Sequence, residues 1–358
     1  MIRSLLSADY PRSRVVAAIL VAILVALALA PFLFPGARSL AVAAKILVFI
    51  LLVASYDLLL GYTGIVSFAH TMFFGIGAYG VAIASTRMGP GWDAIAIGIA
   101  FALVLSTLLA LVIGLFSLRV KAIFFAMITL AVAAAFQTLA SQLSEFTGGE
   151  DGLSFKVPEA LQPSFELFED TVLGASIDGR LLTYYLLFSA VLALFLLLLR
   201  IVNSPFGRVL QAIRENDFRA EALGYRTVVF RTMSNVLAAM FATLAGALLA
   251  IWLRYNGPDT TLSFEIMLDT LLIVVIGGMG TMYGAVIGSA LFVFAQSYLQ
   301  DLMGWISGSF EAVPLLAALF SPDRWLLWLG VLFVSSVYYF PTGVVGRLRA
   351  RAPARGLS

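Results

Sequence analysis

Long apolar runs, separated by short clusters of polar and charged residues, dominate this chain. A helix needs about 20 consecutive apolar residues to cross the hydrocarbon of a bilayer. On that measure the pattern predicts about ten spanning helices, at 15–34, 40–60, 64–86, 93–117, 122–142, 181–202, 229–252, 265–283, 284–303 and 324–340. Glycines interrupt the apolar pattern in 64–86 and around Gly277. The stretch 311–320 is apolar but short, which suits an interfacial or re-entrant segment. The expected fold class is an all-α polytopic membrane protein forming one domain over residues 1–358.

Composition agrees with the pattern. The 358 residues are 61% hydrophobic and 12% charged, with a mean hydropathy of +1.02. Soluble domains carry about 25% charged residues, and a water-soluble fold of this composition would expose very large apolar patches. Cysteine is absent and His70 is the single histidine, which excludes disulfides, thiolate catalysis and polyhistidine metal sites. Arg3, Arg12 and Arg14 ahead of an apolar run, with Ala28-Leu29-Ala30 inside it, imitate a cleavable leader. The length of that run favours a retained first helix.

Charge distribution orients the spans. Arg3, Arg12, Arg14, Arg119, Lys121, Arg200, Arg208, Arg214, Arg219, Arg226, Arg231, Arg347, Arg349, Arg351 and Arg355 all fall on one side of a ten-span chain. The positive-inside rule makes that side, and both termini, cytoplasmic. Arg38, Arg87, Arg254 and Arg324 fall on the other side and run against the rule. The tail 341–358 is then a basic cytoplasmic extension. The opposite side receives an acidic loop, 143–180, carrying Glu145, Glu150, Asp151, Glu159, Glu166, Glu169, Asp170 and Asp178. Two readings of this loop stand: a linker or cap over the bundle, or a docking surface for an extracytoplasmic partner.

The segment 203–228 stands apart, a charged stretch between apolar spans. Ser204 suits an N-cap, Pro205 the first helical position and Gly224 the residue after a helix. Asn216 or Asp217 is placed to cap a second helix, so the segment reads as one bent helix or two, at 205–215 and 218–223. Val209, Ala212 and Ile213 share one face at helical spacing. Such a helix either rests on lipid headgroups or serves as a lever against a cytoplasmic partner.

Four segments together resemble one family. They are 204–224, Gly61–Tyr79, Thr147–Leu153 and Ile276–Gly284, in that family's characteristic compositions. Over about residues 40–345 the chain is similar to branched-chain amino acid ABC importer permeases of the LivM type. The resemblance implies a larger, type II-like importer permease in a bacterial cytoplasmic (inner) membrane, crossing it many times. It implies that 204–224 docks on an ATP-binding cassette subunit through Gly207, Arg208, Gln211, Ile213, Arg214, Glu215, Asn216, Glu221 and Gly224. It further implies a LivH-like second permease, two ATPase subunits and a periplasmic solute-binding protein, but no nucleic acid. ATP and magnesium would sit in the ATPases: Gly-Lys occurs nowhere here, so this chain has no phosphate-binding loop and is not expected to be an enzyme. Cargo would be a branched-chain or related amino acid, although related systems take urea, short amides or aromatic acids. Glu221-Ala-Leu-Gly224 echoes the Glu-Ala-Ala motif of maltose-type permeases only superficially.

The glycine-rich segments allow two readings. Gly75-Ile-Gly77-Ala-Tyr-Gly80 matches a dinucleotide fingerprint but lies in an apolar span, where small residues serve close helix packing. Gly280, Gly284 and Gly288 are spaced four apart, as on one helix face. Alternatively both regions are broken helices lining a substrate path. On that reading Gly61, Thr63, Gly64, Ser67, His70, Gly277, Gly278 and Gly280 are candidate path residues. Asp57 is expected near a helix end within reach of water, and His70 neutral and hydrogen-bonded within the bundle. Lys45, Glu265 and Asp269 are expected to snorkel or face a cavity. Intramembrane carboxylates also permit an alternative function, an ion-coupled secondary transporter using Asp57, Glu265 and Asp269.

Overall fold

A computed structural model describes residues 13–33, 36–117, 122–166, 178–309, 319–340 and 343–350. Arg3, Arg12, Arg119, Lys121, Glu169, Asp170, Arg351 and Arg355 lie outside the described residues, as do 311–318 and most of the basic tail. The principal helices are α1 (Arg14–Leu33), α2 (Ala37–Asp57), α3 (His70–Met88), α4 (Trp92–Ser117), α5 (Ala122–Gln142), α6 (Ser144–Thr147) and α7 (Gly179–Val202). They continue as α8 (Pro205–Glu215), α9 (Asp217–Ala222), α10 (Thr227–Leu253), α11 (Pro258–Thr261), α12 (Phe264–Gly277), α13 (Met282–Ser309), α14 (Trp325–Tyr339) and α15 (Gly343–Ala350). Two short strands, β1 (Leu153–Ser154) and β2 (Tyr255–Asn256), pair antiparallel.

Eight helical stretches among the described residues are long and apolar enough to cross a membrane. The other two expected spans are helical but differ. Residues 64–69 are not helical, and α3 begins only at His70. At 19 residues with His70, three glycines and Arg87, α3 is less apolar than its neighbours. α14 has 15 residues. The span expected at 265–283 stops at Gly277, because Gly278 and Gly280 adopt φ values of 115° and 78° that end the helix.

The helices divide into an inner and an outer set. Protein buries 72% of the most apolar stretch of α2 and 67% of that of α10, against 22% for α1, 28% for α4 and 17% for α5. Composition explains the sorting. Lipid is as apolar as leucine, so close packing and hydrogen bonds, rather than hydrophobicity, draw helices together. α10 buries Ala238, Ala239, Ala242, Ala245, Gly246, Ala247 and Ala250. A Cβ on Gly246 would overlap the Phe74 carbonyl of α3, and one on Gly77 would overlap the Thr243 carbonyl of α10. Those two glycines let α3 and α10 meet backbone to backbone, so the Gly75–Gly80 stretch is a continuous packed helix. Polar bonds lock α10 to α4: Thr243 donates to Ser106 (2.6 Å) and the Asn235 amide to the Ala110 carbonyl (2.9 Å).

The first helix is fastened in a related way. Pro31 lies inside α1 and has no N–H for the Leu27 carbonyl. The Tyr184 hydroxyl of α7 donates to that carbonyl at 2.5 Å, and Tyr185 donates to Ala28 at 2.8 Å. At the end of the bundle where α10 terminates, the described part of the acidic loop forms a cap. Gly148, Gly149 and Gly152 turn the chain with positive φ. Phe155, Val157 and Leu161 then pack on Ala78, Val81, Ala247 and Ile251.

Candidate functional site

The charged segment folds as two helices, α8 and α9, at the end of the bundle opposite the cap. Asn216 joins them: its side chain accepts from the Arg219 amide at 2.9 Å and so caps α9. Gly224 follows α9 with φ 91°. Ser204 holds the N-cap position, but its hydroxyl donates back to Ile201 (2.6 Å) instead of capping. The buried face of α8 also differs from the expected one. It comprises Gly207, Leu210 and Ile213, while Ala212 is exposed and Val209 half-buried. Gly207 sets this rotation, because a Cβ there would overlap the Val202 carbonyl at the turn from α7.

Arg208, Gln211, Glu215 and Glu221 lie on the exposed side, and Glu221 accepts from Thr227 at 2.8 Å. Asp217 pairs with Arg231 of α10 at 3.1 Å, holding α9 in place. Sequence reasoning missed two residues here. Phe218 is 87% exposed and Leu223 72% exposed. Apolar residues beside the caps of a charged segment were their only sequence signal.

Arg214 leaves this surface and reaches into the bundle. Its guanidinium donates to the Gly61 carbonyl. Gly61 lies in a widened π-helical turn, Leu58–Thr63, that continues α2 and ends at Gly64 in the left-handed region (φ 74°). The same turn meets the second helix interruption, 278–281. Asp57 accepts from the Gly280 amide at 2.8 Å. A Cβ on Gly61 would overlap both the Asp57 carboxylate and the Gly280 nitrogen. One on Gly64 would press on the Arg214 side chain. Gly61, Gly64, Gly280 and Arg214 therefore converge with Asp57 on one junction, across sequence separations of up to 223 residues.

Several expectations change at this junction. Asp57, expected to be in reach of water, is 1% exposed, because the 278–281 turn folds over the end of α2. Gly280 does not share a helix face with Gly284 and Gly288; it lies in the turn before α13. Gly284 and Gly288 pack α13 against α12: a Cβ on Gly277 would overlap the Gly284 carbonyl, and one on Gly288 would press on the Ile273 carbonyl. Gly278 abuts Gly343 at the start of α15. Thr63, Ser67 and His70 are buried in packed protein. Thr63 shares a hydrogen bond with Ser234 (2.9 Å), and His70 Nε2 with Ser55 (2.8 Å).

A cavity of about 480 Å³ opens at the other end of the bundle, beside the N-terminal half of α2. Phe49, Phe74, Leu249, Trp252 and Ile266 line it, together with Arg38, Lys45 and Asp269. Gln296 of α13 bridges the two buried-side charges. Lys45 Nζ donates to Gln296 Oε1 at 2.9 Å, and Gln296 Nε2 donates to Asp269 Oδ2 at 3.1 Å. Lys45 and Asp269 thus face a cavity as expected, whereas Glu265 is exposed. At the rim Arg38 pairs with Asp301 at 2.7 Å. Among the described residues no group of three or more His, Asp or Glu side chains is arranged to hold a metal.

Comparison with known proteins places the chain in a family. The family described as branched-chain amino acid transport system / permease component matches residues 38–336. The high-affinity branched-chain amino acid transport system permease protein LivM of Salmonella typhimurium is 26% identical over 79% of this chain and 68% of its own length. LivM of Escherichia coli shows the same identity and coverage. BraD of Pseudomonas aeruginosa is 25% identical over 71% of this chain and 82% of its own. No solved structure matches. The chain is a polytopic membrane protein and belongs to the branched-chain amino acid transport permease family.

Proposed function

We propose that this chain is the permease subunit of an ATP-driven importer, forms half of a path for branched-chain or related amino acids, and takes its motion from cytoplasmic ATPases through α8 and α9. The observation that carries this reading is the bond from Arg214 to the Gly61 carbonyl. It ties an exposed, capped helix pair to the place where two interrupted helices meet. A load on α8 would be felt at once by the widened turn after α2 and, through Gly61 and Asp57, by the turn before α13. A lever with one end in water and the other on two helix breaks can bias a bundle between two conformations.

The surface of that lever favours a protein partner over lipid. Phe218 and Leu223 are exposed beside Arg208, Gln211 and Glu215. An apolar pair rimmed by charge is the usual composition of a docking patch. Arg200, Arg208, Arg214, Arg219, Arg226 and Arg231 cluster at this end, which the positive-inside rule makes cytoplasmic. Both termini then lie on that side of a bacterial inner membrane. ATP and magnesium are bound and used in the partner subunits. A second permease, similar to LivH, completes the path, and a periplasmic binding protein delivers cargo to the capped end.

Reconstitution tests the reading. The chain is co-expressed with a candidate second permease and ATPases, purified and placed in proteoliposomes with the binding protein. L-Leucine uptake should require MgATP. Arg214→Glu should release the ATPases during purification or leave them hydrolysing ATP without uptake. The buried carboxylate of Asp57 at the junction favours a second reading, ion-coupled transport. Uptake by this chain alone, driven by a proton or sodium gradient, would establish that one and reject the first.

A further inference from the structure

We propose that the cavity lined by Lys45 and Asp269, two charges that Gln296 bridges, is where this chain receives a zwitterionic α-amino acid, with the Gln296 amide holding the partners of the cargo's charged ends until cargo arrives. The proposal rests on the amino acid importer reading and adds a binding site and its chemistry. The Gln296 amide offers its oxygen to an ammonium and its N–H to a carboxylate. An α-amino acid carries the same two functions, an anionic acceptor and a cationic donor. They are separated by two carbons where the amide has one. Its carboxylate can take the Lys45 bond and its ammonium the Asp269 bond, each exchange replacing a neutral partner with a charged one. Hydrogen bonds to charged groups are the stronger class.

The walls suit the remainder of such a molecule. Phe49, Phe74 and Trp252 provide an apolar surface beside the charged pair. The volume, about 480 Å³, falls in the range of small-molecule sites, roughly 300–1,000 Å³. Selectivity follows from the two-ended polarity. A molecule with only the carboxylate leaves Asp269 without a cation, and one with only the amine leaves Lys45 without an anion. Buried groups left unpaired are the strongest source of rejection in a binding site.

The natural absence of cysteine makes the test direct. Val42, on the cavity wall, is changed to cysteine in the full assembly in nanodiscs, and its labelling by a water-soluble maleimide is timed. L-Leucine should slow labelling about tenfold more than either 4-methylpentanoate or 3-methylbutylamine at the same concentration. Lys45→Met in the same background should label at the parent rate without leucine, which reports an intact cavity, and should lose the protection. Equal protection by leucine and either half-molecule, no protection by leucine, or protection that survives Lys45→Met would each overturn the proposal. Uptake measured on the same preparations separates the two claims. MgATP-dependent leucine uptake without protection removes the cavity and spares the importer reading. Protection with uptake indifferent to MgATP removes the importer reading and spares the cavity.

Discussion

The two ends of the bundle use polar groups in opposite ways. Near α8, Asp57 and Arg214 bond to backbone, at Gly280 and Gly61, in a place where a Cβ has no room. Near the capped end, Lys45 and Asp269 line an open cavity and are joined to each other through the Gln296 side chain. Side chain to backbone contacts in packed protein move only when helices move. Contacts between side chains beside a void can be exchanged for a ligand without moving a helix. The first arrangement is the one proposed to transmit force and the second the one proposed to receive cargo, and both lie on α2, about 18 Å apart for twelve residues of helix.

The largest effects should come from adding volume at the packed end. Gly61→Ala drives a methyl into the Asp57 carboxylate and the Gly280 amide, and Gly77→Ala drives one into the Thr243 carbonyl. The Gly280 nitrogen and the Thr243 carbonyl are backbone and cannot swing aside as a side chain can, so the helices must separate. Each substitution should cost about 3 kcal/mol or more in thermal or chemical unfolding of the purified protein. Ala41→Val on the cavity wall is the control and should be tolerated. Equal damage at both ends would erase the distinction between a packed junction and an open one.

Asp57 comes next. Asp57→Ala removes the acceptor for a part-buried Gly280 N–H and should cost about 1–3 kcal/mol. Asp57→Asn keeps an oxygen at that position and should recover most of the loss. If ion coupling were the mechanism, Asp57→Asn would instead retain stability and abolish gradient-driven uptake.

Local features of this structure were legible in the sequence and distant ones were not. The Gly224 terminus, and a helix break at Asn216 or Asp217, depend on residues within four positions of one another and were legible; the structure then chose two helices and the Asn216 cap. The apolar runs marked every long helix because lipid imposes length and composition directly. The junction could not be read, because Asp57 and Gly280 are 223 residues apart and Arg214 and Gly61 are 153 apart. Asp57 looked accessible because it falls at the end of an apolar run, and only the fold shows the 278–281 turn covering it. Gln296 escaped notice because it is uncharged. A neutral amide within the apolar run of α13, one of two with Gln300, was its only signal.

At the cavity, removing one charge should disturb stability less than at Asp57. Lys45→Met breaks one part-buried hydrogen bond beside open space, at a cost of about 0.5–1.5 kcal/mol. Leucine uptake by the assembled importer should nevertheless fall about tenfold or more. A variant as unstable as Asp57→Ala would mean that the Lys45–Gln296–Asp269 chain is structural, a strut like the junction.

The smallest change in stability should occur at the residue that joins water to the junction. Arg214→Lys preserves the charge and a donor to the part-buried Gly61 carbonyl, on a residue of an exposed helix pair, so unfolding should shift by no more than about 0.5 kcal/mol. Lysine lacks the rigid planar fork of arginine, and its flexible stem does not fix the distance between α8 and the Gly61 carbonyl. Motion of α8 would then be absorbed by the side chain before reaching the turn. The measurable result is a rise in ATP hydrolysed per leucine transported, with assembly and thermal stability unchanged. An unchanged ratio would mean that α8 drives the bundle through its buried face, Gly207, Leu210 and Ile213, and that the Arg214 contact is incidental to coupling.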